Sequence, residues 1–181
     1  MISLLRFEGV RLDRGGRTLF EDLSLEIGAG EGLHLVGPNG VGKSSLIRLA
    51  AGLLTQRAGR IERSRLAFAD DLHALDRELP LARALTFWGA QSGMKPMGLD
   101  KLADVPVRLL STGQAKRASL ARVVASDAPL WLLDEPLNGL DEDGLAQLGT
   151  LVETHRKGGG AVLVASHRPM RGSWQELRLG A

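Results

Sequence analysis

The 181-residue sequence contains no cysteine and no tyrosine, and only 4% of its residues are aromatic. Without cysteine, a disulfide framework and a zinc site with cysteine ligands are both excluded. The sequence also has no large excess of positive or negative charge, because its 23 lysines and arginines and 21 acidic residues leave a net charge of +2. So small an excess does not predict the basic surface that is typical of nucleic-acid-binding proteins.

Long apolar runs are absent from the sequence as well. The best stretch, residues 46–54, is short and is interrupted by Arg48, so no segment is predicted to span a bilayer. The first ten residues carry Arg6 and Glu8 among apolar residues and lack the pattern of a secretion signal. The composition, 44% hydrophobic and 24% charged, is that of a globular protein with a core of its own.

Hydrophobic patterns predict an α/β fold. Around residues 23–27, apolar and polar residues alternate after a turn at 14–17, which predicts antiparallel strands near the N-terminus. A short run at 33–36 leads into a glycine-rich segment, and two later runs, 130–133 and 161–165, are apolar without alternation, as in parallel strands covered on both faces. The α/β fold is therefore expected to contain a mainly parallel sheet.

The chain is expected to form one domain, residues 1–181, with an insertion. Between residues 70 and 125 the pattern becomes helical, with helical patches at 81–88 and 114–125. We interpret residues 70–125 as a helical subdomain inserted between the two parts of the core, residues 1–69 and 126–181.

The segment from Gly37 to Ser44 fits the phosphate-loop pattern in full. Glycines let consecutive backbone N–H groups converge on phosphate oxygens, and the helix that follows adds its positive end. In this pattern Lys43 reaches the β- and γ-phosphates, and the Ser44 hydroxyl is a ligand of Mg²⁺. The alternative is a glycine-rich turn without a ligand. The strand and helix on either side favour nucleotide binding by Gly37, Pro38, Asn39, Gly40, Val41, Gly42, Lys43, Ser44 and Ser45.

Acidic and polar residues follow the two later buried strands. Asp134 and Glu135 come directly after one strand, and Ser166 and His167 come after the other. Ligands of open α/β sheets bind beyond the carboxyl ends of the strands, so these side chains are expected to lie near the phosphate loop. Asp134 is then a candidate Mg²⁺ ligand, and Glu135 a candidate general base for an attacking water. Taken alone, the two carboxylates would more often be a helix cap or solvated charges.

A further candidate segment is Leu110–Gln114, with the sequence Leu-Ser-Thr-Gly-Gln. One interpretation is an ordinary helix start with Ser111 as the N-cap. The same hydroxyl, free amides and positive helix end also bind anions, so both interpretations can hold together.

Five motifs occur in the order that is typical of ATP-binding cassette ATPases. They are the phosphate loop, Leu-Ser-x-Gly-Gln at 110–114, Leu-Leu-Asp-Glu-Pro at 132–136, Gly-Leu-Asp at 139–141 and Ser-His at 166–167. The sequence resembles this superfamily over nearly its whole length. The resemblance implies a P-loop NTPase with a RecA-like core, an N-terminal antiparallel β subdomain and the inserted helical subdomain.

The resemblance also implies a homodimer with shared sites. In these ATPases each ATP lies between the phosphate loop of one subunit and the signature of the other. Ser111, Gly113 and Gln114 would therefore contact the γ-phosphate bound by the partner. Asp141 resembles the aspartate that crosses the interface, and His167 the switch histidine that contacts the γ-phosphate. The implied catalytic residues are Glu135, His167 and Lys43, and the implied Mg²⁺ ligands are Ser44 and Asp134.

Three positions depart from the superfamily pattern. Thr112 stands where the signature usually has a glycine. No aromatic residue is found where adenine usually stacks, and the planar guanidinium of Arg14 is the candidate replacement. Asp70 or Asp71 is the candidate for the position of a glutamine that senses Mg²⁺ and the membrane partner; the alternative is a pair of solvated acids.

Segments 14–20, 121–136 and 176–180 resemble the ATP-binding subunits of bacterial haem exporters in cytochrome c maturation. That resemblance implies an ATP hydrolase bound peripherally to integral membrane subunits, on the cytoplasmic side of the inner membrane, whose turnover powers haem export or delivery. Direct haem binding is not expected, because the histidines at 34, 73 and 155 are scattered.

Other interpretations remain open at this point. The protein is alternatively the ATPase of another exporter, a cassette ATPase that acts on nucleic acid, or a nucleotide sensor without turnover. Nucleic acid is not an expected partner, because the net charge is small. Phe87 and Trp88 either line a groove for a helix of the membrane partner or belong to the core, and their helical spacing favours the core.

Overall fold

The computed structural model describes residues 2–70 and 75–180. Within these ranges the chain forms eight strands and four α-helices. The strands are β1 (Ser3–Arg14), β2 (Arg17–Gly28), β3 (Gly32–Val36), β4 (Ala58–Arg63), β5 (Leu66–Ala69), β6 (Leu130–Asp134), β7 (Ala161–Ala165) and β8 (Gln175–Arg178). The helices are α1 (Lys43–Ala50), α2 (Leu81–Thr86), α3 (Thr112–Val124) and α4 (Glu142–Lys157).

An antiparallel sheet with the order β2-β1-β4 contains the N-terminal strands. Gly15 and Gly16 connect β1 to β2 with φ values of 60° and 76°, the left-handed conformation that tight hairpin turns require. The predicted N-terminal antiparallel strands and their turn are thereby confirmed.

The second sheet has five parallel strands in the order β5-β6-β7-β3-β8. Every residue of β6 and β7 is buried, as the apolar runs without alternation predicted. β8 pairs with β3 and forms one edge of this sheet. The predicted mainly parallel sheet is thus confirmed.

Alternate residues of the central strands belong to two hydrophobic clusters on opposite faces of the sheet. Leu130 and Leu132 pack with β1, β3 and α1, whereas Trp131 and Leu133 pack with α3 and α4. Because a strand directs successive side chains to opposite faces, four residues of β6 serve both cores. This double coverage holds the carboxyl ends of β6 and β7 in place.

Residues 81–124 contain α2, α3 and three single 3₁₀ turns, Gln91–Gly93, Asp100–Leu102 and Val107–Leu109. The segment is helical as expected, and the subdomain boundaries at 70 and 125 stay a prediction. The core assignment of Phe87 and Trp88 is wrong, because these side chains are 81% and 45% exposed. Helix α2 is too short to turn both aromatic rings inward, since it ends at Thr86 before either of them.

None of the helices within residues 2–70 and 75–180 has the length and apolarity needed to cross a bilayer.

Candidate nucleotide-binding site

The phosphate loop connects β3 to α1. Gly37, Gly40 and Gly42 have φ values of 145°, 77° and 118°, which side chains with a Cβ rarely adopt. Gly42 precedes α1, and no side chain caps that end of the helix. The first N–H groups of α1 therefore remain available to an anion.

The segment that follows β8 packs against this loop. Leu179 N–H donates to the Val36 carbonyl at 2.9 Å, which continues the pairing of β8 with β3. A Cβ added at Gly37 would lie 2.6 Å from the Leu179 carbonyl oxygen. The loop therefore needs glycine at position 37 for two reasons, its φ angle and this close approach.

Lys43 is buried at the beginning of α1, with 6% of its surface exposed. Its ammonium group donates to the carbonyls of Gly37 at 2.8 Å and Pro38 at 3.0 Å. The loop thus surrounds the Lys43 ammonium group with its own carbonyl oxygens. Phosphate oxygens can replace these carbonyls as hydrogen-bond acceptors.

Ser44 and Asp134 are in direct contact although 90 residues separate them in sequence. The Ser44 hydroxyl donates to Asp134 Oδ1 at 3.0 Å, and the carboxylate is buried at the end of β6. Because β7 lies between β6 and β3 in the sheet, the two residues meet only through the helix that follows β3. Asp134 therefore lies beside the phosphate loop, where a polar residue at the carboxyl end of this strand was expected.

Glu135 and His167 form a second polar pair at this edge. Glu135 has a φ of 46°, which is strained for a non-glycine residue, and its N–H donates to the Ala165 carbonyl at 2.8 Å. Glu135 Oε1 lies 3.3 Å from His167 Nε2, and Oε2 accepts from the His167 N–H over a long distance of 3.4 Å. Both carboxylate oxygens are therefore oriented by residue 167.

An open cavity of about 550 Å³ adjoins the phosphate loop on the side of the β1–β2 turn. Arg14 donates from Nη1 to the Ser45 hydroxyl at 3.0 Å and so connects the turn to α1. The volume lies in the range of small-molecule sites. The lining residues are Arg14, Gly15, Arg17, Leu19, Gly40, Gly42 and Ser45.

The segment Leu110–Gln114 begins α3 as predicted. Ser111 is the N-cap: its hydroxyl accepts from the Gln114 N–H at 3.2 Å, and the Gln114 side chain accepts from the Ser111 N–H at 2.9 Å. A Cβ on Gly113 would lie 2.8 Å from the Gly139 carbonyl oxygen, so this position requires glycine. Thr112 is exposed in the first turn and leaves that close approach intact.

Asp141 is the N-cap of α4. Its Oδ1 accepts from the Gly144 N–H at 2.9 Å, and Arg117 lies 3.8 Å from its carboxylate. Sequence reasoning missed this structural role, which the helix-start pattern Asp-Glu-Asp-Gly would have indicated. Within the described residues, no hydrogen bond joins Ser111, Gly113, Gln114 or Asp141 to the phosphate loop. The predicted site residues thus form two groups within one chain.

The histidines outside the site have different surroundings. His34 is buried in β3, and its Nε2 lies 2.9 Å from the Ser166 carbonyl oxygen. His155 stacks on Trp131 with the ring centroids 3.9 Å apart, and burial lowers its pKa. The third scattered histidine, His73, lies outside the described residues.

Of the two acids considered for the glutamine position, only Asp70 is described. It follows β5, and its carboxylate lies 3.7 Å from Arg48 of α1. Its side chain is only 14% exposed, so the alternative of a solvated surface acid is wrong for Asp70. Asp71 lies outside the described residues.

The fold and the phosphate loop define a nucleotide-binding α/β protein. Residues 20–138 match the ABC transporter family. The chain belongs to this family, and the protein is an ABC-type ATP-binding subunit and ATPase.

Curated relatives are similar over most of their length. The chain is 54% identical, over 92% of its own length and 91% of the relative's, to the cytochrome c biogenesis ATP-binding export protein CcmA of Sphingopyxis alaskensis. It is 56% identical to CcmA of Novosphingobium aromaticivorans, over 87% of this chain and 85% of that one.

Solved structures confirm the fold. An ATP-binding subunit of an ABC transporter matches with a TM-score of 0.87 and 21% identity, over 98% of this chain and 88% of that one. A dimeric ATP-binding cassette in a post-hydrolysis state, bound to ADP and Pi, matches with a TM-score of 0.86 and 19% identity, over 97% and 94%. The predicted P-loop NTPase fold class is confirmed.

Proposed function

We propose that this protein is the ATP-hydrolysing subunit of a transporter that exports or delivers haem for cytochrome c biogenesis. The observation that supports the process is the 54% identity, over 92% of the chain, to a cytochrome c biogenesis ATP-binding export protein. The subunit works at the cytoplasmic side of the bacterial inner membrane, bound peripherally to integral membrane subunits. Haem itself is handled by those partners.

The nucleotide occupies the phosphate loop, where Lys43 is already desolvated and aimed into the mouth of the loop. ATP phosphates replace the Gly37 and Pro38 carbonyls as acceptors of the ammonium group. Ionised acceptors form shorter and stronger hydrogen bonds than neutral carbonyls do, so this exchange favours the triphosphate. Arg14 faces the cavity beside the loop and stacks on the base.

Ser44 and Asp134 fit a magnesium ion. A hydroxyl and a carboxylate oxygen, 3.0 Å apart, are the hard ligands that Mg²⁺ prefers, and the phosphates complete such sites. When bound, Mg²⁺ would neutralise charge on the phosphates.

Glu135 is the general base in this proposal. Residue 167 holds both of its oxygens, so the carboxylate is oriented before the water arrives. A base positioned in this way takes the proton as the water attacks the γ-phosphorus. The bond from this phosphorus to the bridging oxygen breaks, ADP departs as the leaving group, and inorganic phosphate is the other product. The His167 ring is 49% exposed, which leaves it accessible to a γ-phosphate.

The second half of the site comes from another copy of the chain. Ser111 is exposed at the beginning of a 13-residue helix, and its hydroxyl group can donate to an acceptor while it caps the helix. Ser111, Gly113 and Gln114 of one copy contact the γ-phosphate held by the other, and Asp141 approaches the same interface. The functional unit is a homodimer.

Membrane partners bind in a groove of about 390 Å³ between α1, β5 and α3. Exposed Trp88 and Leu53 line it, and the Arg122 guanidinium lies 3.8 Å above the Trp88 ring. We therefore propose that the occupant is an amphipathic helix of an integral membrane subunit, whose apolar residues pack against Trp88 and Leu53.

Deletion and complementation test this function in the source bacterium. Loss of the gene abolishes covalent haem attachment to c-type cytochromes, detected by haem staining of periplasmic proteins. The wild-type gene restores it, and Trp88→Ala weakens co-purification of the chain with its membrane subunits by roughly 30-fold, a typical loss for a buried aromatic anchor. Leu109→Ala, which removes an exposed large apolar side chain outside the groove lining, is the control. Normal cytochromes in the deletion strain would rule out the haem role.

A further inference from the structure

His34 is a buried histidine that the proposed reaction does not use. It lies in the middle of β3, and 4% of its surface is exposed. Its Nε2 is 2.9 Å from the carbonyl oxygen of Ser166, a residue 132 positions away in sequence. Because a carbonyl oxygen only accepts, the proton of this hydrogen bond must be on Nε2.

The hydrogen bond acts on a peptide group beyond the end of the sheet. The pairing of β7 with both neighbours ends at Ala165, so no strand ladder holds the Ser166 carbonyl. Buried carbonyl groups need a donor, and His34 supplies one across the sheet. The His34 side chain therefore holds the backbone in place one residue beyond the end of β7.

The N–H side of the same peptide group faces Glu135. Its carbonyl belongs to Ser166 and its N–H to His167, and that N–H points to Glu135 Oε2 at 3.4 Å. The ring of His167, attached to the same peptide, lies 3.3 Å from Oε1. Rotation of this peptide plane would displace both groups that contact the Glu135 carboxylate, the His167 N–H and the His167 ring.

We propose that His34 is a positioning residue for ATP hydrolysis, which acts through the Ser166–His167 peptide on Glu135. The inference rests on the roles proposed above for Glu135 and His167. Hydrogen bonds in a chain polarise one another, so the donor at His34 also strengthens the N–H that faces the carboxylate.

Two substitutions of equal length test the donor. His34→Gln places an amide N–H at about the reach of Nε2, whereas His34→Met fills similar space without a donor. ATP hydrolysis is measured on the full chain, alone and with the detergent-solubilised membrane fraction. We expect kcat to fall roughly tenfold in His34→Met, with the KM for ATP within about twofold of wild type, because a small misplacement of a catalytic group lowers the rate. His34→Gln should recover most of kcat.

His155→Asn is the matched structural control. His155 also places Nε2 near a backbone carbonyl, that of Pro129 at 3.2 Å, but this carbonyl lies before β6, at the opposite edge of the sheet. We expect its loss to lower the melting temperature without changing kcat. If His34→Met does not fold, His34→Asn, whose amide is too short to reach Ser166, takes its place.

Two results would overturn the inference: a wild-type kcat in the variant without a donor, or a kcat in His34→Gln as low as in His34→Met. Glu135→Gln, measured in parallel, separates this failure from failure of the proposed base. If hydrolysis survives Glu135→Gln, the assignment of Glu135 as the base is rejected. If hydrolysis is lost in Glu135→Gln but kcat is normal in His34→Met, only the role of His34 is rejected.

Discussion

The carboxyl edge of the parallel sheet and the beginning of α3 both carry phosphate-binding patterns, but they differ in burial and in the range of their hydrogen bonds. At the sheet edge, Lys43 and Asp134 are buried, and Asp134 is hydrogen-bonded to a residue 90 positions away. At the beginning of α3, Ser111 is exposed and is hydrogen-bonded to Gln114, three residues along the chain. The sheet edge is held by contacts between distant parts of the chain, whereas the beginning of α3 is held by hydrogen bonds within its own first turn.

The difference shows how one chain can hold two incomplete halves of a site. Buried polar groups must be satisfied within the chain, so the sheet edge is assembled before nucleotide arrives. The capping box satisfies the first N–H groups of α3 locally and keeps the helix end rigid at the surface. Such an end can serve the nucleotide of a second copy without any rearrangement of its own core.

The largest expected effect is on the preassembled edge. Glu135→Gln removes the proposed base but keeps the shape of the side chain, so we expect ATP hydrolysis to fall by about 10²- to 10⁴-fold. ATP binding should persist, and closed dimers should accumulate. Phosphate release and size-exclusion chromatography in the presence of ATP measure these outcomes. Glu153→Gln, an exposed acid on α4, is the control, and undiminished hydrolysis in Glu135→Gln would reject the assignment.

The next largest effect concerns the surface half. Ser111→Asp preserves the N-cap, because aspartate caps helices as well as serine does, but it places a carboxylate where a γ-phosphate is expected. We expect hydrolysis to fall roughly 100-fold, with an unchanged melting temperature, as on loss of a donor to a developing charge.

Mixing chains distinguishes a shared site from a site within one chain. A dimer of Ser111→Asp with Lys43→Ala contains one intact phosphate loop facing one intact signature. Activity should therefore return on mixing two inactive variants, measured as phosphate release against the mixing ratio. Absence of any recovery would show that both regions act within the same chain, and the contrast between them would lose its functional meaning.

The smallest effect is on stability, far from either half. Burial lowers the pKa of His155, so the unfolded chain takes up its proton at a higher pH than the folded protein does. The stability that this residue contributes is complete above 6.5, the ordinary pKa of a histidine side chain, and is lost as the pH falls below it. Urea unfolding at several pH values on both sides of 6.5 should show less loss of stability on acidification in His155→Phe than in wild type. An equal loss in both proteins would contradict the burial argument.

Local features could be predicted from the sequence because their causes are local. The loop from Gly37 to Ser44 needs its glycines for backbone angles within a few residues, and Ser111 caps a helix through Gln114 three positions later. The buried runs of β6 and β7 likewise follow from their own composition. Each pattern is written in a short stretch of chain.

Other elements depend on neighbours that the pattern does not reveal. Strand β4 has one half-buried residue, Ile61, among exposed ones, so no alternation marked it, and its pairing with β1 makes it a strand. Phe87 and Trp88 have the spacing of core residues, but α2 ends at Thr86 and leaves both rings exposed. Exposure here depends on where a helix stops, which short-range periodicity does not determine.

The sequence by itself determined the class of chemistry, since phosphate loop, signature and acidic strand end appear in their order along the chain. Only the tertiary structure decided which of these residues touch: Ser44 with Asp134, residue 167 with Glu135, and His34 with Ser166. The reason is physical. Motifs depend on backbone geometry over a few residues, whereas contacts across 90 or 132 residues depend on the order of the strands in the sheet.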